Sequence, residues 1–589
     1  MSRLSAEQQA SVDQDGNVLL TACPGSGKTR VLAARVVRAL DELTSPKHRV
    51  VAMTYTNRAA DEIVARLDQE SIDRSRLWAG TIHAFVLEWV LRPYAPYCPA
   101  VRSGVTVADE FYTSRILNEL KAGYGKSPFL DVRVSRDRNG DVQNYDPVAR
   151  QIYQEYAQRL RDERLVDYDD LLFFAYKLLA DNEEIAATIG SIVRHFCVDE
   201  IQDTQDLQYA ILSCIYQASA SRPAMFFVGD PDQCIYESLG ALPLQPESIA
   251  RQFGPEPLHQ LNLTGNYRST QRIIDYCRLL RPDSPVTQSL VKYGSESGTI
   301  SFENQSVSTG DLPDAVAGYI NAALQRGIPP GEICVLAPQW AHLRVISRAL
   351  VARLPDVEFD APGLSPIYGQ RDNIWYEIAR VLLSAPAPNR FGTRIRWANG
   401  ILGRLSEQYN VRIPEELQNA RKLLRFANSV SRDEHDGLAF LRFAFSSFLD
   451  KIEFEIEACP ALQHAHTLFF EKANDALERI GEDAARSLES FQGLFGVRSG
   501  VRISTCHGAK GEEYATVIAF GFLRGYIPNW SEIYKDQAVA EEHASRLIYV
   551  VCSRAKLNLH LIAESGRRTK GGSPYETTSL LLNTNFRYD

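Results

Sequence analysis

A long apolar run is the first thing this chain lacks. No stretch approaches the roughly 20 consecutive apolar residues that a membrane-crossing helix needs, so no membrane association is expected. The 10 cysteines are scattered, with no Cys-x-x-Cys pair and no Cys/His cluster at zinc spacing. That argues against a zinc module and for the reduced core thiols of a cytoplasmic protein. Short-period repeats and low-complexity tracts are missing too, which excludes solenoids and disordered tails. The opening residues, MSRLSAEQQASVDQDG, are too polar for a signal peptide. Positive charge is also not in excess: the net charge is -9 and the pI about 5.8. A protein basic all over is therefore excluded, but a basic groove on an acidic body is not.

What is present is ordinary globular material in quantity. The 589 residues are 45% hydrophobic and 23% charged, enough for several domains with sizeable cores. Residues 17–20, NVLL, form a short apolar run, and the helical pattern TRVLAARVVRAL follows a glycine-rich turn. Then come the strand-like RVVAMTYT (49–56) and the helical NRAADEIVARL. This alternation predicts a parallel α/β sheet. HFCVDE, AMFFVGD and LHQLNL read as further strands ending in polar residues. Residues 84–190 read as a helical insertion. A second α/β series starts near 298, with strands at 332–338, 501–511, 515–520 and 557–563, and is interrupted by a helical stretch over 395–495. The expected organisation is a first domain of residues 1–83 and 191–280, and a second of 281–394 and 496–589.

Residues 22–29, ACPGSGKT, lie between the first strand and the first long helix. A phosphate loop needs glycines where backbone N–H groups approach anionic oxygens, and Gly25 and Gly27 supply them. Lys28 can reach the β- and γ-phosphates, the Thr29 hydroxyl can ligand Mg²⁺, and the helix start turns its positive end toward the anion. The expected loop contacts are Ala22, Cys23, Pro24, Gly25, Ser26, Gly27, Lys28, Thr29 and Arg30. Ala22 departs from the usual first glycine. A chance glycine-rich turn is the competing reading, and the order strand, GSGKT, amphipathic helix speaks against it.

Residues 196–206, FCVDEIQDTQD, end a second apolar run in acids. Acidic residues often open the helix after a strand, which is one explanation. The chemical one is that Asp199 holds Mg²⁺ and Glu200 orients and deprotonates an attacking water. Gln202 and Asp203 are left without a role by that chemistry.

These segments resemble superfamily 1 helicases of the UvrD/Rep/PcrA type, where DExQD is diagnostic. LSAEQQASV (4–12) resembles the Q-motif, implying that Gln8 reads adenine. MTYTNRAADEI (53–63) and GTIHAF (80–85) resemble segments that contact single-stranded DNA, implicating Tyr55, Asn57 and His83. VDYDDLL (166–172) resembles the end of the family's first insertion. GDPDQCIY (229–236) implies that Gln233 senses the γ-phosphate and Tyr236 meets a base. LNLTGNYRST (261–270) implies Tyr267 stacking on the base and Arg268 at the γ-phosphate. STCHGAKGEEYATV (504–517) places His507 on the DNA side and Glu513 at the nucleotide. RLIYVVCSRAK (546–556) makes Arg554 the arginine finger. The resemblance implies two RecA-like P-loop domains, each with a helical insertion. It further implies ATP and Mg²⁺ as cofactors, 3′→5′ movement on DNA, single strands and single/double-strand junctions as partners, and a nuclease or repair factor as a protein partner. The departures matter as well. Glu237, Ser238 and Leu239 stand where the family carries an aromatic and an arginine, and Glu512 stands where it carries leucine. Compact relatives of this kind include the helicase subunit of the Gabija phage-defence system. A nucleotide-gated DNA-sensing subunit of a repair or phage-defence complex is the alternative reading.

Overall fold

The computed structural model describes residues 4–589 apart from 103, 109, 129, 133–134, 144–145, 237–244, 255, 292–297, 362–365, 368–369, 371–372, 408, 481–482, 496–498 and 570. The departure at Glu237, Ser238 and Leu239 lies outside the described residues. Contacts divide the chain into two units, Met1–Gly265 and Asn266–Asp589. The segment 266–280, read above with the first domain, therefore belongs to the second unit. There the helix Gln271–Leu280 packs on the helix Gln537–Cys552 and on the strand Ala555–Ser565.

The first unit is built on six parallel strands: β1 (Asn17–Ala22), β2 (Arg49–Thr54), β3 (Leu77–Thr81), β4 (Val193–Val198), β5 (Ala224–Gly229) and β6 (Leu258–Leu263). Their order is β6-β1-β5-β4-β2-β3. Alternation sorts their side chains to two faces. Val18, Leu20, Val50, Ala52, Phe226 and Val228 share one core with the helix α1 (Ala6–Asp13) and the helix α2 (Lys28–Asp41). Leu19, Val51, Met53, Phe196, Val198 and Phe227 share the other. With both faces covered the strands need no polar side, which is why NVLL and AMFFV are continuous apolar runs.

Two features fix α1 over the phosphate loop. Arg35 of α2 is buried and donates to the carbonyls of Val12 and Gln14, both at 2.6 Å. The Glu7 carboxylate accepts from the Thr264 amide at 3.0 Å and the Thr264 hydroxyl at 2.7 Å.

The region read as one insertion over 84–190 has two parts. A small core of its own gathers Ala108, Ile116, Ile152, Tyr156 and Leu160. The helices Tyr168–Asp181 and Glu183–Ile192 instead bury Leu171, Leu172, Leu178 and Ile189 in the core beneath the sheet. An amphipathic pattern says that a helix has an apolar face, not what covers it.

The second unit repeats the plan with β7 (Ile300–Ser308), β8 (Ile333–Ala337), β9 (Phe359–Asp360), β10 (Val501–Thr505), β11 (Tyr514–Phe520) and β12 (Ala555–Ser565), all parallel, in the order β7-β12-β11-β8-β10-β9. Between β9 and β10 a helical body encloses a separate core centred on Trp375, Phe440, Phe445, Phe469 and Phe491. It includes the helix Ile374–Leu383, and so starts before residue 395. All ten cysteines are free thiols. Among the described residues no helix is long and apolar enough to cross a membrane.

Candidate functional site

In the first unit the residues after β1 turn back on themselves before α2 begins. Ser26 donates its amide (3.2 Å) and its hydroxyl (2.7 Å) to the Cys23 carbonyl, and the Cys23 amide reaches the Leu263 carbonyl of β6 at 3.3 Å. Gly27 takes φ +84° and its carbonyl receives the amides of Arg30 and Val31. A Cβ at Gly27 would lie 2.8 Å from the Gln8 amide nitrogen, so glycine is required both for backbone sign and for room. The loop from Ala22 to Arg30 thus ends in a helix start whose N–H groups form an anion cradle.

Gln8 is buried and braces this loop. Its Nε2 donates to the Ser26 carbonyl at 2.8 Å, and its Oε1 accepts from the Ser5 amide at 3.1 Å. A primary amide has two donors and two acceptor lone pairs, so each contact uses half of one end.

The acidic end of β4 sits beside Lys28. Asp199 is buried, and its amide donates to the Met53 carbonyl of β2 at 2.8 Å. Burial, with Glu200 adding to it, raises the Asp199 pKa, and the Lys28 charge partly offsets the rise. Asp230, at the end of β5, is buried as well. Burial raises its pKa, and Lys28 again opposes the shift. Gln233 donates from Nε2 to Asp230 Oδ2 at 2.6 Å. Lys28, Asp199, Asp230 and Gln233 therefore converge from three elements. The GDPDQ pattern points to Gln233, and Asp230 in the same stretch is a site residue that the pattern alone does not single out.

Glu200 adopts φ +51°, the left-handed region, which costs a non-glycine residue of order 1–3 kcal/mol. Gln202 gives this conformation a partner. Its Nε2 donates to Glu200 Oε2 at 2.5 Å and its Oε1 accepts from the Asp230 amide at 3.0 Å. Gly229 leaves the space: a Cβ there would approach Gln202 Oε1 to 2.3 Å. The role missing for Gln202 is thus a brace between the ends of β4 and β5. Asp203, also buried, lies close enough to Tyr55 and Tyr236 for its charge to push both phenol pKa values up, after desolvation as the main cause.

Tyr55 and Tyr236 stack on each other with ring centroids 5.0 Å apart and planes 17° off parallel. Tyr55 is 39% exposed and Asn57, at the start of the next helix, is exposed too. His83 meets the exposed Tyr168 edge-on at 5.3 Å, and desolvation lowers its pKa to about 4, so the imidazole is neutral at pH 7. The first unit thus carries a phosphate cradle and an aromatic surface joined through residues 199–203.

The second unit gathers Arg268, Glu513 and Arg554. Arg268 donates from Nε to Glu513 Oε2 at 2.6 Å and from Nη1 to the Ser553 carbonyl at 3.1 Å. Lys556 lies 3.5 Å from the other Glu513 oxygen and 3.0 Å from Glu332. Desolvation acts against the Glu513 charge, but Arg268 and Lys556 outweigh it and hold the pKa below its ordinary value. Arg554 is only 1% exposed. Its guanidinium donates to the Val550 carbonyl (3.0 Å), the Glu512 carbonyl (3.3 Å) and the Ser553 hydroxyl (2.8 Å). The Arg554 guanidinium is thus held by the end of the helix Gln537–Cys552 and by the Glu512 carbonyl. Tyr267 is exposed. His507 is exposed just past β10, near Glu532 and Lys510.

Mg²⁺ is bound by few protein ligands and completes its shell with water and substrate phosphates. The Thr29 hydroxyl at the start of α2 and the buried Asp199 carboxylate are oxygen donors of the kind that fits it. Among the described residues no three His, Cys, Asp or Glu side chains form a cage of their own.

A parallel sheet with a phosphate cradle after its first strand, repeated as a second parallel sheet carrying arginines, defines a pair of RecA-like P-loop domains. The family model of the UvrD/REP helicase N-terminal domain matches residues 4–253, and that of the UvrD-like helicase C-terminal domain matches residues 456–566. The chain belongs to this family of UvrD-like superfamily 1 helicases. It is similar to the ATP-dependent DNA helicase PcrA of Leuconostoc citreum, at 24% identity over 96% of this chain and 83% of that protein. DNA helicase II of Escherichia coli K12 is 23% identical over 98% of this chain and 86% of its own length. The ATP-dependent DNA helicase Rep of the same organism is 28% identical over 51% of this chain and 47% of its own.

Proposed function

We propose that the protein is a DNA-dependent ATPase that moves 3′→5′ along single-stranded DNA and opens single/double-strand junctions. The observation that carries this reading is the junction at residues 199–203. One end faces Lys28 and the phosphate cradle, and the other faces the Tyr55–Tyr236 stack.

In this reading the loop amides of Gly25–Thr29 and Lys28 hold the phosphates. Glu200 takes the proton of a water as that water attacks the γ-phosphorus and the bond to the β-phosphate oxygen breaks. Gln202 holds the Glu200 carboxylate in place, and Gln233, aimed by Asp230, senses the γ-phosphate. Thr29 and Asp199 would hold Mg²⁺, which when bound would supply charge neutralisation to the phosphate oxygens. Arg268, Glu513 and Arg554 are the second unit's share of the nucleotide set, with Arg554 as the finger. Tyr55, Asn57, His83, Tyr236, Tyr267 and His507 are assigned to single-stranded DNA. Stacking and phosphate contacts carry little sequence information, so binding should be sequence-tolerant and strongly salt-dependent.

The test is steady-state ATP hydrolysis with and without single-stranded DNA, alongside strand displacement on a 3′-tailed duplex. Stimulated hydrolysis with displacement is expected, and Lys28→Ala should abolish both. Hydrolysis indifferent to DNA would refute the reading. Stimulation without displacement would replace it with a nucleotide-gated DNA-sensing subunit of a repair or phage-defence complex.

Tyr236→Ala is expected to weaken binding of a labelled oligothymidylate at least about fivefold, as loss of one base–aromatic stack does. Fluorescence anisotropy reads the effect. Unchanged affinity would remove Tyr236 from the contact.

A further inference from the structure

Behind Arg268 the second unit carries a row of alternating charges. Arg268 Nε donates to Glu513 Oε2 at 2.6 Å, and Lys556 Nζ lies 3.5 Å from Glu513 Oε1. The same Nζ donates to both carboxylate oxygens of Glu332, at 3.3 and 3.0 Å. Glu332 ends the turn Pro330–Glu332 that leads into β8. Its Oε2 also receives the Ala515 amide at 3.1 Å, two residues past Glu513. The helicase resemblance gives roles to Arg268 and Glu513 and none to Lys556 or Glu332.

The main chain is laced in the same place. Arg268 Nη1 donates to the Ser553 carbonyl at 3.1 Å, the Ser269 hydroxyl to the Ala555 carbonyl at 2.7 Å, and the Thr270 amide to the Lys556 carbonyl at 3.0 Å. Lys556 therefore holds the segment that carries Arg268 with its backbone, and the carboxylate that Arg268 meets with its side chain. The last torsion of a glutamate is broad, so a carboxylate gripped at one oxygen can still turn. Gripped at both oxygens, by Arg268 and Lys556, it has a fixed plane. A guanidinium is a rigid fork, so fixing Nε and Nη1 sets where its remaining N–H groups point. Stability does not account for the arrangement: the Glu332 and Glu513 side chains are 41% and 45% exposed, and ion pairs this wet stabilise a fold little.

We propose that Lys556 is a positioning residue for ATP hydrolysis: held by Glu332, it fixes the Glu513 carboxylate, which in turn aims Arg268 at the γ-phosphate. The inference rests on the reading of Arg268 given under Proposed function and deepens it. Lys556 touches neither nucleotide nor water in this scheme and acts only through Glu513. An aim that matters while charge builds on the γ-phosphate is felt in kcat rather than in the binding of ATP.

The experiment is steady-state ATP hydrolysis by the full chain at saturating oligothymidylate, with thermal midpoints measured in parallel. Lys556→Met should lower kcat at least about tenfold, as a misplaced site group does, with the KM for ATP and the midpoint close to those of the parent. Lys556→Arg, which keeps the charge, should recover most of the loss. Glu332→Gln should lower kcat less, and adding it to Lys556→Met should cost nothing more, because Glu332 acts through Lys556. Parent-like kcat in Lys556→Met would overturn the proposal. So would a fall in kcat matched by a fall in midpoint, or full additivity of the two substitutions. Arg268→Ala tests the underlying reading separately. It should lower kcat further than Lys556→Met, and parent-like hydrolysis by Arg268→Ala would overturn the assignment of Arg268 and the relay with it.

Discussion

Glu200→Gln is expected to lower ATP turnover at least about a hundredfold while ATP still binds. A positioned general base contributes about 10²–10⁴ to a rate, and an amide cannot take the proton. The substitution is otherwise conservative. The new amide oxygen can still accept from Gln202 Nε2, which donates to Glu200 Oε2 at 2.5 Å in the parent chain. The residue would keep φ +51° and pay the same backbone cost. Asp199, whose pKa is raised by burial and then by Glu200, would lose a like-charge neighbour and ionise more readily. Nucleotide binding should therefore survive, as measured with a fluorescent ATP analogue, while single-turnover hydrolysis falls. Lys28→Ala makes the contrast, because it should lose binding and hydrolysis together. Near-normal turnover by Glu200→Gln would move the base elsewhere, and Asp230 would be the residue to test next.

Much of this site was legible because its parts are contiguous in the chain. The glycines, Lys28 and Thr29 lie within one turn, and their spacing is imposed by backbone geometry around an anion. Asp199 and Glu200 likewise follow one strand. What the sequence hid is set by contacts across long separations. Gln202 has a job only because the Asp230 amide lies within 3.0 Å. Asp203 matters only because Tyr55 and Tyr236 meet beside it. SRAK marks Arg554 for the nucleotide set, and no local pattern shows that its donors turn to Val550, Glu512 and Ser553. The alternation of strands and helices located both sheets. It did not separate the helices at 168–192, which cover the first sheet, from the small core at 108–160, because both present the same kind of apolar stripe.

The departure at Glu512 has a structural answer, and it gives the largest expected effect on stability. Glu512 is buried where the family pattern has leucine. Its carboxylate receives the Tyr514 hydroxyl and lies 3.8 Å from Arg502 Nε, while Arg502 also pairs with Asp360 at 2.8 Å. The neighbouring Tyr514 stands where the pattern has phenylalanine. A carboxylate and a phenol that satisfy each other thus stand where the family pattern AKGLEF has leucine and phenylalanine. Glu512→Leu alone would leave the buried phenol without its acceptor and the Arg502 charge half-compensated. Breaking a buried pair this way costs about 3–5 kcal/mol. The Glu512 carbonyl also receives Arg554, and Glu513 next to it holds Arg268, so a loosened loop should reach the nucleotide set as well. The double variant Glu512→Leu/Tyr514→Phe restores an apolar match, and Asp360 still answers Arg502. It should therefore denature at a higher midpoint than Glu512→Leu, with a coupling of about 0.5–3 kcal/mol between the two positions. Equal midpoints for the single and double variants would mean that the carboxylate serves Arg502 alone, and that the tyrosine is present for some other reason.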